Sequence, residues 1–275
     1  MNINFVKTEG AGNDFILVDM IDEKEPGIQW PVFAKKACRR KRGVGADGVL
    51  VLEDSQNADF RMRIFNPDGS EAEMCGNGAR CCAYYYFRKK TTDNTKFETM
   101  AGVMKAEAGS GNNVRLLMTS PVDTRLDMVI NTGSSEMSVC FTNTGVPHAV
   151  VETEHLENID VAGLGRSIRY NENFMPQGTN VDFINVTGKS SISVRTYERG
   201  VEQETLACGT GVVASAVISG LKNRVSSPVT VLTRGGDTMK VHFRMSKMED
   251  LLSRVYDVKL EGKVNEIYEG NIETD

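Results

Sequence analysis

The chain has no run approaching the ~20 consecutive apolar residues that a membrane-spanning helix needs. Its start, Met1-Asn-Ile-Asn-Phe-Val-Lys7, lacks the basic opening and apolar core of a signal peptide. A cytoplasmic protein without membrane contact is expected. Positive charge is not in excess either. Lys and Arg number 32 against 37 Asp and Glu, a formal charge of −5, which gives no general attraction to nucleic acid or anionic lipid. The densest basic run, Arg39-Arg-Lys-Arg42, is short and has no interleaved aromatics, so it reads as a solvated helix end. Six cysteines in 275 residues are too sparse for a disulfide scaffold. No Cys-x-x-Cys occurs and the three histidines are scattered, which argues against a structural zinc site. The thiols are therefore read as reduced, either inert in a core or reactive.

What is present is a repeat. Cys75-Gly-Asn-Gly78 returns 133 residues later as Cys208-Gly-Thr-Gly211. Gly12-Asn-Asp-Phe-Ile-Leu-Val-Asp19 and Gly145-Val-Pro-His-Ala-Val-Val-Glu152 stand at the same separation. So do Gly45-Ala-Asp-Gly-Val-Leu-Val51 and Gly178-Thr-Asn-Val-Asp-Phe-Ile184. Three landmarks at one offset argue for two structurally similar halves.

Each half reads in the same order. A Gly turn leads into a β-rich run (15–18; 149–151), then come a second Gly turn and strand (49–52; 182–186) and a third strand (60–65; 192–197). A polar turn follows, then Cys-Gly-x-Gly opening a helix. Asn66-Pro-Asp-Gly69 has the residue types of a β-turn. Residues 79–90 show helical spacing, and 212–221 are apolar all round, the mark of a buried helix. The expected fold is α/β of the α+β kind, with two pseudo-symmetric domains. Each is a mixed, largely antiparallel sheet wrapped around a central helix. The halves are expected at 1–118 and 119–262, the boundary falling in the 115–124 stretch.

A cysteine at a helix mouth has chemistry available to it. The first backbone N–H groups of a helix lack intrahelical partners and, with the dipole, bind anions such as a carboxylate. The same positive end favours a thiolate and is expected to lower a thiol pKa from about 8.5 toward neutrality. Two such sites related by duplication suggest a narrower function. If the halves face each other, two thiols can approach one carboxylate-bearing carbon from opposite sides. Inverting a stereocentre by proton transfer needs that arrangement, with one thiolate as base and one thiol as acid. Cys38, Cys81, Cys82 and Cys140 have no counterpart in the other half and read as core or surface thiols.

Nine motifs run through the chain: Gly10-Ala-Gly-Asn-Asp-Phe15, Gly43-Val-Gly-Ala-Asp-Gly48, Ile64-Phe-Asn-Pro-Asp-Gly-Ser70, Met74-Cys-Gly-Asn-Gly-Ala-Arg-Cys81, Pro147-His148, Gly178-Thr-Asn180, Tyr197-Glu-Arg-Gly200, Ala207-Cys-Gly-Thr-Gly211 and Tyr268-Glu-Gly270. In their order and spacing the chain resembles the diaminopimelate epimerase family over nearly its whole length. The resemblance implies an isomerase interconverting L,L- and meso-diaminopimelate, on the route to lysine and peptidoglycan precursors, without pyridoxal phosphate or metal. It implies Cys75 and Cys208 as the acid/base pair, with Gly76-Asn77 and Gly209-Thr210 holding the α-carboxylate. Asn13, Asn66, Asn180 and Arg199 would contact substrate, the last three at its distal end. Glu198 and His148 would orient the amino group and tune the thiols. The resemblance also implies a homodimer, and a tail, 263–275, packed on the first half. Two departures bear on distal recognition: Val146 stands where many members carry Asn, and Gly48 where many carry Gln.

Three other readings compete. A same-fold racemase of histidine or proline type is the nearest, although proline-type sites usually carry His where this chain has Asn77. Cysteine-hydrolase or thiol-redox chemistry leaves the second cysteine loop unexplained. A nucleotide-binding module lacks both the P-loop and the dinucleotide fingerprint.

Overall fold

The computed structural model describes residues 2–23, 27–133, 135–246 and 255–273; residues 274 and 275 of the expected tail lie outside them. In chain order the elements are β1 (Asn2–Gly10), β2 (Asn13–Met20), α1 (Trp30–Ala37), β3 (Gly48–Glu53), β4 (Phe60–Phe65), β5 (Glu71–Ala72), α2 (Gly76–Lys90), β6 (Asn94–Thr99), β7 (Gly102–Ala108) and β8 (Asn113–Leu117). They continue with β9 (Val122–Asn131), β10 (Glu136–Asn143), β11 (Pro147–Glu152), α3 (Val161–Arg169), β12 (Asn180–Gly188), β13 (Ser191–Glu198), β14 (Gln203–Thr205), α4 (Gly209–Leu221), β15 (Val229–Leu232), β16 (Thr238–Met245), β17 (Val255–Lys263) and β18 (Asn265–Glu273). The chain divides into two compact units. One comprises Met1–Leu116 and Gly262–Asp275, the other Leu117–Glu261.

In the first unit β1 lies antiparallel between β18 and β2, β2 runs parallel to β3, and β3 pairs antiparallel with β4. Strand β4 then pairs with β5 and, in parallel, with β6; β6, β7 and β8 continue antiparallel. The second unit repeats this plan. Strand β10 lies antiparallel to β9 and β11, β11 is parallel to β12, and β12 is antiparallel to β13. Strand β13 takes β14 and, in parallel, β15, after which β16 and β17 follow antiparallel. Every strand of one unit thus has a counterpart in the other, including the tail strand β18, which answers to β9. The repeat's turn glycines match as well: Gly12 and Gly145, and Gly45 and Gly178, all sit at positive φ, where a side chain would be strained.

Each sheet wraps a central helix. Helix α2 packs on β1, β2, β3, β4, β6 and β7, and α4 on β10, β11, β12, β13, β15 and β16. Helix α4 shows why packing, not propensity, makes it. It holds three glycines and three valines, poor helix formers costing up to ~1 kcal/mol each. Yet Gly211 to Leu221 are all buried. Its aliphatic side chains gain about 1.5–3 kcal/mol each when buried, which outweighs the propensity deficit. A short α-helix packs on each sheet as well. Phe33, Ala34 and Ala37 of α1 pack on Val49, Val51 and Phe65. On α3, Val161 and Ile168 pack with Phe183 and Tyr197.

Among the described residues no helix is long and apolar enough to cross a membrane. The basic run follows the end of α1 and is exposed, with one qualification. Arg40 reaches back to Asp14 at 2.7 Å and Asp47 at 2.6 Å, so it is an ion-pair partner as well as a solvated charge.

Candidate active site

Both repeated cysteines are helix N-caps. Cys75 has extended backbone (φ −142°, ψ 120°) and its Sγ accepts the N–H of Gly78 at 3.5 Å, which begins to satisfy the open end of α2. Cys208 has the same backbone form (φ −126°, ψ 110°) at the mouth of α4. Both thiols are half-buried, whereas Cys38, Cys81, Cys82 and Cys140 are buried. Gly76 and Gly209 leave the helix mouths clear: a Cβ at Gly76 would meet nothing within 4 Å, and one at Gly209 only Leu260 at 3.2 Å.

The two loops are held by different chemistry. In the first unit the amide of Asn77 donates to Asn13 Oδ1 at 2.6 Å and accepts from Arg80 at 2.6 Å. Arg80 is fully buried and lies against the backbone of Gly262, where a Cβ would meet its Nε at 2.8 Å. Asn13 in turn donates to Asp47 at 3.2 Å. Behind it, Asp14 takes the ammonium of buried Lys7 at 2.6 Å and the Arg40 fork. Burial opposes ionisation of Asp14, but the hydrogen bonds from Arg40 and Lys7 outweigh it and hold the carboxyl well below its usual range. Asn66 opens the expected turn, with Gly69 N–H donating to its carbonyl at 2.9 Å and its side-chain amide donating to Ser70 at 3.0 Å.

In the second unit the Thr210 hydroxyl lies 3.4 Å from Cys208 Sγ and 3.0 Å from His148 Nε2. The other ring nitrogen, Nδ1, is 2.7 Å from Asp182, and both residues are fully buried. Thr144 donates to the Thr210 carbonyl at 3.1 Å. Asn180 is 4% exposed; it donates to the Pro147 carbonyl at 3.2 Å and accepts the N–H of Arg199 at 2.8 Å. It therefore fixes the backbone from which Arg199 projects. The guanidinium of Arg199 donates to Gln177 O at 3.0 Å, and Glu198 beside it is half-buried at the end of β13.

One expectation is corrected here. The helix mouth was expected to lower a thiol pKa, but burial pushes the Cys208 thiol up to about 12, with the carboxylates of Asp182 and Glu198 adding to the rise. Two anions and a partly dry environment oppose the positive helix end. This environment favours the thiol over the thiolate at Cys208.

Four residues of the site region were assigned no role from the sequence. Arg80, Asp182, Thr144 and Thr196 are buried polar groups whose partners lie up to 66 positions away. Arg80 stands in the first cysteine motif, where no local pattern marks it as buried. Asp182 could have been suspected only as a charge inside an otherwise apolar strand. Two cavities, of about 540 Å³ and 370 Å³, lie elsewhere, at the far ends of α2 and α4 by Lys89 and Lys222, themselves 133 residues apart. Neither cysteine lines them.

Comparison with known proteins adds to this geometry. Residues 5–124 and 140–247 match the family model of diaminopimelate epimerase. The diaminopimelate epimerase of Aquifex aeolicus is 43% identical over 281 residues, covering 98% of each chain. That of Hydrogenobaculum sp. is 39% identical, covering 96% of each. Among solved structures, a phenazine biosynthesis protein of the PhzF family from Bacillus anthracis superposes with a TM-score of 0.69 over the full length of both chains at 15% identity, a likeness of fold.

Proposed function

The chain belongs to the diaminopimelate epimerase family, and from that premise we propose that it is an isomerase interconverting L,L- and meso-diaminopimelate by a two-base mechanism. The observation that carries the proposal is the matched pair of N-cap cysteines, Cys75 and Cys208, each at the mouth of a sheet-wrapped helix. In this reading the substrate's α-carboxylate takes the N–H groups of Gly76-Asn77 and Gly209-Thr210, where unpaired donors and helix dipoles favour an anion. Holding the carboxylate this way also stabilises the negative charge that spreads onto it when the α-proton leaves. One thiolate removes that proton, and the opposite thiol delivers its own to the other face. The enzyme ends with its two protonation states exchanged and is reset by solvent.

Arg199 suits a distal carboxylate, since its guanidinium can form paired charge-assisted hydrogen bonds. Asn13 and Asn66 offer donor and acceptor atoms at the edges of the first loop. Asn180, with both amide atoms engaged, acts in this reading by setting Arg199 in place. A cytoplasmic homodimer, working without pyridoxal phosphate or metal, completes the proposal.

The test is incubation of the purified protein with L,L-diaminopimelate in D₂O. Deuterium should enter the α-position and meso product should accumulate, and either Cys75→Ala or Cys208→Ala should abolish turnover. Exchange with histidine or proline and none with diaminopimelate would refute the substrate assignment. Turnover surviving loss of Cys208 would refute the two-base mechanism.

A further inference from the structure

Behind Cys208 runs a hydrogen-bond chain whose direction can be read from its end. The Asp182 carboxylate accepts from the Thr196 hydroxyl through Oδ1 at 2.7 Å and faces His148 Nδ1 through Oδ2 at 2.7 Å. A carboxylate only accepts, so the ring hydrogen sits on Nδ1 and Nε2 of a neutral ring must accept. The group that reaches Nε2 at 3.0 Å is the Thr210 hydroxyl. The second amide hydrogen of Asn180 faces the same lone pair, but at 3.5 Å it is the longer and weaker contact, so the Thr210 hydroxyl at 3.0 Å holds Nε2. With its one hydrogen committed to Nε2, Thr210 Oγ1 can offer the sulfur 3.4 Å away only a lone pair. The chain in this state calls for an S–H. A proton on Nε2 reverses it: the ring then donates to Thr210, whose O–H turns to the sulfur and favours a thiolate.

We infer that the Thr210 hydroxyl and Asp182 are positioning residues that couple the protonation of Cys208 to His148. The coupling step moves protons alone. The S–H bond breaks as Thr210 Oγ1 takes its proton, and the proton already on Oγ1 passes to Nε2. A thiolate and an imidazolium result, the latter held by the adjacent Asp182 carboxylate. Gly211 is what admits that carboxylate, since a Cβ there would lie 2.3 Å from Oδ1. The device belongs to one half only: the positions 133 earlier than Thr210, His148 and Asp182 are Asn77, Phe15 and Val49. The ionisable groups acting on Cys208 are Asp182 of β12 and Glu198 of β13, with His148 of β11 reached through Thr210.

This inference rests on Cys208 being one of the two acid/base groups, but its test does not need turnover. The rate of Cys208 alkylation by iodoacetamide is followed against pH by mass spectrometry of the intact full-length protein. Thr210→Val should slow alkylation about tenfold at a given pH, equivalent to an upward shift of one pKa unit, whereas Thr210→Ser should retain the original profile. Asp182→Asn separates coupling from simple charge. Removing a nearby anion should by itself speed alkylation, but loss of the imidazolium's partner should slow it. A slower Asp182→Asn together with a slower Thr210→Val that is restored in Thr210→Ser supports the coupling. Should Asp182→Asn fail to fold, the two threonine variants decide. Thr210→Val within twofold of the parent protein, Thr210→Ser no different from Thr210→Val, or a faster Asp182→Asn would overturn it. Absent epimerase activity with the expected alkylation pattern would refute the proposed function and leave the coupling standing.

Discussion

Replacing Gly211 by alanine should destabilise the protein, against the ordinary rule for helices. Gly211 is the third residue of α4, and alanine in a helix is favoured over glycine by about 0.8–1.0 kcal/mol. Here the added Cβ would lie 2.3 Å from Asp182 Oδ1 and 3.1 Å from Cγ, so the carboxylate must retreat by roughly 1 Å to reach ordinary contact. It cannot do so freely, because Thr196 and His148 hold its two oxygens at 2.7 Å each and all three residues are buried. Overpacking of this kind costs about 1–3 kcal/mol, and weakening a hydrogen bond to a charged group about 1.5–3 kcal/mol. After the propensity gain, roughly 1.5–5 kcal/mol of destabilisation remains, or about 3–20 °C in the unfolding temperature of a body of this size. The duplication supplies the control. At Gly78 the same substitution meets Leu50 Cδ2 at 2.8 Å, a methyl that can rotate away, so propensity and repacking should nearly cancel. Differential scanning calorimetry of both variants measures the contrast. A Gly211→Ala protein as stable as the parent, or a Gly78→Ala protein equally damaged, would refute the account of Asp182 as a rigidly held carboxylate.

Three other outcomes follow from the structure. Asp14 has a depressed folded-state pKa, so its ion pairs with Lys7 and Arg40 stabilise the fold above the ordinary carboxylate value of 3.8 and that contribution is lost as pH falls below it. Acid unfolding of Asp14→Asn should therefore be less steep than that of the parent, and equal slopes in an acid titration followed by circular dichroism would argue against the pairing. Burial raises the Cys38 thiol to about 11 and the Cys81 thiol to about 12 from an ordinary 9.0. The unfolded chain then sheds protons above pH 9 that the folded chain retains, so stability should decline from pH 9 upward. Cys38→Ala should flatten the dependence of the melting temperature on pH there, and an unchanged slope would count against a buried neutral thiol. Finally, Arg80→Met removes the donor that holds Asn77 and should lower kcat/KM by about tenfold or more, the worth of one hydrogen bond from a charged group. Steady-state kinetics with diaminopimelate checks it, and an unaltered kcat/KM would show that the first loop holds its shape without Arg80.

Features that depend on near neighbours or on repetition were legible in the sequence. Cys-Gly-x-Gly specifies an open helix mouth within four residues, and α2 and α4 begin there. Asn66-Pro-Asp-Gly forms its turn from local residue chemistry. The constant spacing of 133 carries the duplicated plan because equivalent sequences take equivalent folds. Only the tertiary structure decided how the two cysteines differ. Asp182 meets His148 across the parallel pair β11 and β12, a neighbourhood created by sheet formation and invisible to any local pattern. Arg80 reaches Asn77 from the next turn of α2, but its burial comes from the strands that wrap the helix. The thiol of Cys208 was expected to ionise readily on the strength of its helix mouth alone. Its environment reverses that tendency, because desolvation and charge depend on everything that packs nearby, whereas a helix cap depends on four residues.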